Sequence, residues 1–171
     1  KGIDMLLKTA NILKNRGVDF EWKLAGGISE TMKNTIEKNE KTTFAENNVQ
    51  LLGLVSPYKL NKLLLNSTIY VHTSYIENSP NAICEAQYIG IPIVSTNVGG
   101  ISTLCRNGEE ANLVPANDPW QMAFAIMSLS KDEQLMKHYS SNSISVSHKR
   151  HKFENIAFQL MSCYNNIISI K

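Results

Sequence analysis

Apolar residues recur along this chain in two alternating rhythms. In residues 3–16, IDMLLKTANILKNR, the residues Ile3, Leu6, Leu7, Ala10 and Leu13 fall on one helical face, and Gly17 stands where a helix C-cap is expected. FEWKLAGG then alternates apolar and polar positions and ends in a glycine pair, the form of a strand leaving into a tight turn. A polar helix is predicted from about Glu30 to Lys41. The succession repeats: NVQLLGLV reads as a short buried strand, Ser56-Pro57 opens a helix through about Leu65, and STIYVHTS is strand again. Ser79-Pro80 starts a helix that stops near Gly90, IPIVST is strand, GGISTLC starts a short helix, and ANLVPA is strand.

Alternating strands and helices, with the strands apolar on both faces, predict an α/β fold with a doubly wound, mostly parallel sheet flanked by helices. From Asp118 the strands cease. Asp118-Pro119-Trp120-Gln121 is a capping box with proline at the first helical position, and WQMAFAIMSL carries an apolar stripe. Two further helices are predicted near 131–143 and 152–169. No linker, repeat or low-complexity run divides residues 1–171, so one domain is expected.

Composition narrows the function classes. Seventeen basic against fifteen acidic residues give a net charge of +2, too small to imply a nucleic-acid partner. The one dense basic run, His148-Lys149-Arg150-His151-Lys152, lacks interleaved aromatics and reads as a solvated segment between helices. Three widely spaced cysteines, Cys84, Cys105 and Cys163, suggest neither a disulfide frame nor a zinc site, and a reducing, cytoplasmic setting is the simplest expectation. No apolar run approaches the length of a membrane span.

One stretch carries chemistry: Glu77-Asn78-Ser79-Pro80-Asn81-Ala82-Ile83-Cys84-Glu85. In an open parallel sheet, ligands bind at the carboxyl ends of strands, where loops lead into helix N-termini. The helix begun by Ser79-Pro80 would present backbone N–H groups, from Asn81 and Ala82, and a partial positive charge to an anion such as phosphate. Glu85, inside that helix, is suited to accept two hydroxyl hydrogen bonds, as from the vicinal diol of a ribose. Glu77, on the loop before it, would face the other end of the same ligand. The plainer reading stays open, with Glu77 a loop surface charge and Glu85 paired to a lysine.

SYIENSPNAICEAQYIGIPIVSTNVGGI resembles the donor-site signature of the retaining glycosyltransferases of GT-B fold, the family 4 group: a Glu, seven residues, a second Glu, then Ala, a Gly, a Pro, a strand and Gly-Gly. The rest follows in that family's order. KGIDMLLKTANIL resembles its Lys-Gly helix, WKLAGG its strand and Gly turn, NVQLLGLVSPYKLNKLL its Asn-Val strand and helix, NGEEANLVPANDPWQMAFAI its late strand and helix, and FENIAFQLMSCY its closing helix. The resemblance covers essentially the whole chain.

It implies a Rossmann-like domain, one half of a GT-B fold, that binds a nucleotide-diphosphate sugar without a metal or other cofactor. Lys1 matches the lysine paired with the donor diphosphate, and Glu77 the acid that bonds donor-sugar hydroxyls. The backbone at Asn78, Ser79, Pro80 and Asn81 matches the segment around sugar and phosphates, Glu85 the acid that grips the ribose, and the turn at Gly53 and Leu54 the wall beside the base. Gly26 and Gly27 would permit close backbone approach or serve as a plain turn, and Gly99 and Gly100 would line the donor pocket or merely precede a helix.

Departures qualify the match. Asn78 and Ser79 stand where the family usually has Gly and an aromatic residue, Thr73-Ser74 where Pro-Ser is common, Thr103 where an acid is common, and Ala111 where Gly is usual. The resemblance also implies features that precede Lys1: a phosphate-binding arginine, a first strand, and an N-terminal domain that binds a sugar, lipid-linked or other acceptor. A peripheral association with the inner face of a membrane through that domain belongs to the same expectation. The function expected is glycosyl transfer to a hydroxyl with retention of configuration, the chain alone being inactive. The rivals are a nucleotide-sugar epimerase of GT-B layout and a non-enzymatic nucleotide-binding module. An NAD-binding domain fits poorly, since no Gly-x-Gly-x-x-Gly follows any strand. His72, at the end of an apolar strand, either approaches the sugar or, the simpler reading, is a satisfied histidine beneath the loop, and Trp22 and Trp120 read as packing residues.

Overall fold

The protein is described by a computed structural model over residues 2–169. Its elements follow the predicted alternation: α1 (Ile3–Asn15), β1 (Trp22–Ala25), α2 (Glu30–Glu40), β2 (Val49–Gly53), α3 (Pro57–Leu65), β3 (Tyr70–His72), α4 (Asn81–Ile89), β4 (Ile93–Thr96), α5 (Ile101–Leu104), β5 (Ala111–Val114), α6 (Pro119–Lys131), α7 (Glu133–His151) and α8 (Phe153–Ile168). Local chemistry sets most boundaries. Ser29, Ser56 and Asp118 each accept a hydrogen bond from the backbone N–H three residues on, and Pro57 and Pro119 occupy first helical positions. Gly17, just past α1, has φ of 70° and ends that helix as expected.

All strand pairings are parallel. Among the described residues they form two hydrogen-bonded sets, β1–β2 and β3–β4–β5, rather than the single sheet expected. One helix joins them. Met5 of α1 is buried in a core with Val94, Val114 and Met122, while Leu6, Leu7 and Ala10 are buried in another with Phe44 and Val49. Each such large side chain contributes about 1.5–3 kcal/mol on burial, so α1 fastens both strand sets from one face. A third core, with Ile83, Ala86, Ile93, Ile101 and Ala111, lies under α4 and α5 on β4, all four residues of which are buried. Within each set, parallel pairing places the loops that follow the strands at one edge: those after β1 and β2 in the first, those after β3 and β4 in the second.

The C-terminal helices differ from expectation. α7 runs on to His151, so His148, Lys149, Arg150 and His151 are its last turn and not a segment between helices. Cations suit that end of the helix dipole, and two of them also pack. Arg150 donates to Oε1 of Gln87 (3.0 Å) and to the Leu104 carbonyl (2.7 Å), and the His148 ring lies 4.4 Å from that of Tyr88. Trp120, expected as a packing residue, packs on one face only: it is 60% exposed, with the Arg16 guanidinium over its ring. No helix is long and apolar enough to cross a membrane among the described residues.

Candidate functional site

The loop between β3 and α4, residues 73–80, is held on every side. Thr96 Oγ1 donates to the Ser74 carbonyl at 2.6 Å, and the Tyr75 hydroxyl donates to Oδ2 of Asp4 on α1 at 2.6 Å. Burial first, and then the Asp4 carboxylate beside it, push the Tyr75 phenol well above its usual range.

Three glycines complete the clamp. A Cβ on Gly2 would stand 1.7 Å from the Thr73 carbonyl oxygen, one on Gly99 1.7 Å from that of Glu77, and one on Gly100 1.9 Å from that of Asn78. No side chain fits such gaps. The loop after β4 and the start of α1 therefore lie backbone to backbone against the Glu77 loop. Gly26 and Gly27 behave differently: a Cβ on Gly26 would meet nothing within 4 Å, and one on Gly27 only the Leu54 side chain at 3.9 Å. Here the glycines serve a turn, and Gly26 N–H donates to the Gly53 carbonyl at 2.9 Å, tying the loops after β1 and β2 together.

α4 starts one residue later than its sequence suggests. Pro80 is the N-cap, not the first helical residue, because its extended backbone (ψ 112°) stops helical geometry there, and no side chain caps the helix. Asn81 and Ala82 accordingly supply first-turn N–H donors, as expected. Asn78, Ser79, Asn81 and Glu85 are exposed at this end, whereas Pro80 is buried. Asn81 and Glu85, four apart, share a helix face. They open onto a cavity of about 480 Å³ between α3 and α4, lined also by Asn61, Leu65, Cys84 and Tyr88. The rest of the expected set that is described, Glu77, Asn78, Ser79, Pro80, Gly26, Gly27, Gly53, Leu54, Gly99 and Gly100, does not line it. Lys1 lies outside the described residues.

Glu77 sits in a polar cluster that sequence reasoning missed. Ser74 Oγ donates to its Oε1 at 2.8 Å, and His72 Nε2 stands 3.4 Å from the same oxygen. The Tyr70 hydroxyl lies 3.3 Å from His72 Nδ1. Burial raises the Tyr70 phenol far above its usual range, aided by the negative charges of Glu85 and then Glu77, so one phenol senses both acids. The available signal was the period of two along β3, which puts Tyr70 and His72 on one face, continuing toward Ser74. Asp4 and Thr96, seventy-one and twenty-two residues from their loop partners, left no local signal.

The chain is matched over residues 1–146 by the family of glycosyl transferases group 1. It belongs to that family. The capsular polysaccharide biosynthesis glycosyltransferase CapM of Staphylococcus aureus is 28% identical over 170 residues, 98% of this chain and 43% of CapM. The chain thus spans less than half the length of the curated relatives it matches. Among solved structures, Anabaena HepE in complex with UDP and glucose superposes with a TM-score of 0.75 at 19% identity, covering 93% of this chain and 44% of HepE. The C-terminal domain of the group 1 family protein LpcC of Francisella tularensis gives 0.76 at 18% identity, covering 90% of this chain and 80% of that one. These likenesses establish the fold of the group 1 chain, α/β and Rossmann-like, as in GT-B glycosyltransferases.

Proposed function

We propose that residues 1–171 are the C-terminal, donor-binding half of a retaining glycosyltransferase that moves a glycosyl group from a nucleotide-diphosphate sugar to an acceptor hydroxyl. The observation that carries the reading is the clamped Glu77 loop feeding straight into the side-chain-uncapped start of α4, with Glu85 one turn beyond. A carboxylate, a set of backbone N–H groups and a second carboxylate follow one another along one edge, in the order sugar, diphosphate, ribose. The N–H groups of Asn81 and Ala82, with the helix dipole, favour the diphosphate and the charge it gains as the sugar departs. Glu77 orients the sugar and Glu85 accepts from the ribose hydroxyls. Lys1 is assigned to the diphosphate, and the turns at Gly53-Leu54 and Gly26-Gly27 to the wall near the base.

The relatives support the class of reaction. CapM carries capsular polysaccharide biosynthesis in its name, and HepE has been seen with UDP-glucose as well as with UDP and glucose. By analogy the acceptor is a sugar or lipid-linked sugar held by the rest of the protein, in the cytoplasm or at the inner membrane face. No metal is assigned a role, because helix N–H groups and Lys1 supply the countercharge.

Calorimetry on the full-length protein with UDP, GDP and ADP and with UDP-glucose, GDP-mannose and ADP-glucose tests this. Glu85→Gln is expected to weaken a nucleoside diphosphate about tenfold or more, the loss of a charge-assisted pair of hydrogen bonds. Glu77→Gln is expected to weaken the sugar ester while leaving the diphosphate alone. Binding of no nucleotide, or unchanged affinity in both variants, would sink the reading, and the anomer formed on a simple acceptor decides retention.

A further inference from the structure

Among the described residues, His72 is a titratable side chain beside Glu77 to which the donor-site reading gives no role. Its side chain and that of Glu77 are each only 12% exposed, so their contact is shielded from solvent. Nδ1 faces the Tyr70 hydroxyl at 3.3 Å, and Nε2 faces Oε1 of Glu77 at 3.4 Å.

A neutral imidazole has one donor and one acceptor nitrogen, and the partner of one fixes the role of the other. The Tyr70 phenol, raised by burial and by the two nearby carboxylates, keeps its proton and is a donor at neutral pH. Nδ1 is then the acceptor, which puts the imidazole proton on Nε2, toward the carboxylate. Ser74 Oγ reaches the same oxygen from the loop itself at 2.8 Å. Ser74 hydrogen-bonds this oxygen and Nε2 approaches it at 3.4 Å, so among the described residues both bear on the rotation of the carboxylate about its last bond. Contacts of this kind are often long before a ligand arrives and shorten in the complex.

We propose that His72, fixed as its Nε2–H tautomer by Tyr70, is a positioning residue that sets the orientation of the Glu77 carboxylate toward the donor sugar. This rests on the donor-site reading. It acts through Glu77 and not on the ligand, so its effect falls on the sugar and spares the nucleotide. The strand supplies the rigidity: β3 pairs with the fully buried β4, His72 opposite Ser95, so the imidazole is carried by sheet while its target is carried by a loop. A site built on a strand holds tighter geometry than one built on loops alone.

The test compares, on the full-length protein, the affinity for each nucleoside diphosphate with that for its sugar ester: UDP with UDP-glucose, GDP with GDP-mannose, ADP with ADP-glucose. His72→Leu is expected to weaken the ester about tenfold, the scale of one charge-assisted hydrogen bond, with the diphosphate within about twofold of wild type. His72→Gln, whose amide reaches the Nε2 position, is expected to restore the ester, and His72→Asn, which mimics only Nδ1, is not. Tyr70→Phe frees the tautomer and is expected to give a partial loss confined to the ester, so the proposal stays testable if His72→Leu fails to fold. Long-range ¹H–¹⁵N spectra of the unliganded protein should show His72 protonated at Nε2, and protonation at Nδ1 overturns the assignment. Equal losses for diphosphate and ester, or none, overturn the positioning role while leaving the donor site standing. A wild type that binds no pair overturns the donor site and this role with it.

Discussion

The carbonyl oxygen of Glu77 occupies the space where Gly99 would carry a Cβ, 1.7 Å from that atom's ideal position. Gly99 also has φ of 52°, where L side chains are strained, so two independent penalties guard this contact. Gly99→Ala is expected to destabilise the protein by about 2 kcal/mol or more and to displace the Glu77 loop. Gly27→Ala, with only the Leu54 methyl 3.9 Å away, is the matched control. Thermal melts should show loss of stability in the first and near wild-type stability in the second, and nucleotide-sugar titrations should show loss of binding in the first.

The Tyr75 hydroxyl to Asp4 bond ties the same loop to α1 across seventy-one residues. Tyr75→Phe removes a hydrogen bond to a charged group and is expected to cost about 1.5–3 kcal/mol in denaturant unfolding. The phenol is raised in the folded state, so its contribution is fully present below the unfolded value of about 10 and fades as pH climbs above it. Melts from pH 9 upward should therefore fall more steeply for wild type than for Tyr75→Phe.

Glu110 is buried at 1% side-chain exposure and takes three kinds of hydrogen bond from Arg106: from the backbone N–H, from Nε and from the short guanidinium contact. Burial alone would raise this carboxyl, but the Arg106 bonds and charge outweigh it and hold it below the usual glutamate range. The pair therefore stabilises the fold above the unfolded value of about 4.3, and that contribution is lost as pH falls through the lower folded value. Arg106→Ala should lower the melting temperature at pH 7, and the gap from wild type should shrink below about pH 4.

Cysteine labelling should follow burial. Cys105 is 1% exposed, and burial pushes its thiol up to about 12, whereas Cys163 on α8 is exposed. Iodoacetamide at pH 8 is expected to alkylate Cys163 first and to spare Cys105 until the protein unfolds. Mass spectrometry of the peptides reads the order, and early modification of Cys105 would contradict the packing under α5.

Helices and strands were legible because their signals are local. Ser56-Pro57 and Asp118-Pro119 fix helix starts by capping chemistry within four residues, and α3 begins where that chemistry places it. The extent of α7 was not legible, since Arg150 belongs to the helix partly through Gln87 and the Leu104 carbonyl, which are distant in sequence. At the site, the exposed start of α4 with Asn81 and Glu85 on one face could be read from spacing. The Tyr70–His72–Glu77 cluster could not be read as a unit, because a histidine in an apolar strand looks the same whether it packs or points at an acid.

By itself the sequence determined the order of the elements, the doubly wound class and the two acids around a helix start, because periodicity and caps act over a few residues. Only the tertiary structure decided that Gly99 and Gly100 are forced by backbone contact with Glu77 and Asn78, that Gly26 and Gly27 are not, and that Asp4 and Thr96 hold the loop. Those facts depend on which distant segments meet, and close packing, unlike helix periodicity, leaves no imprint on neighbouring residues.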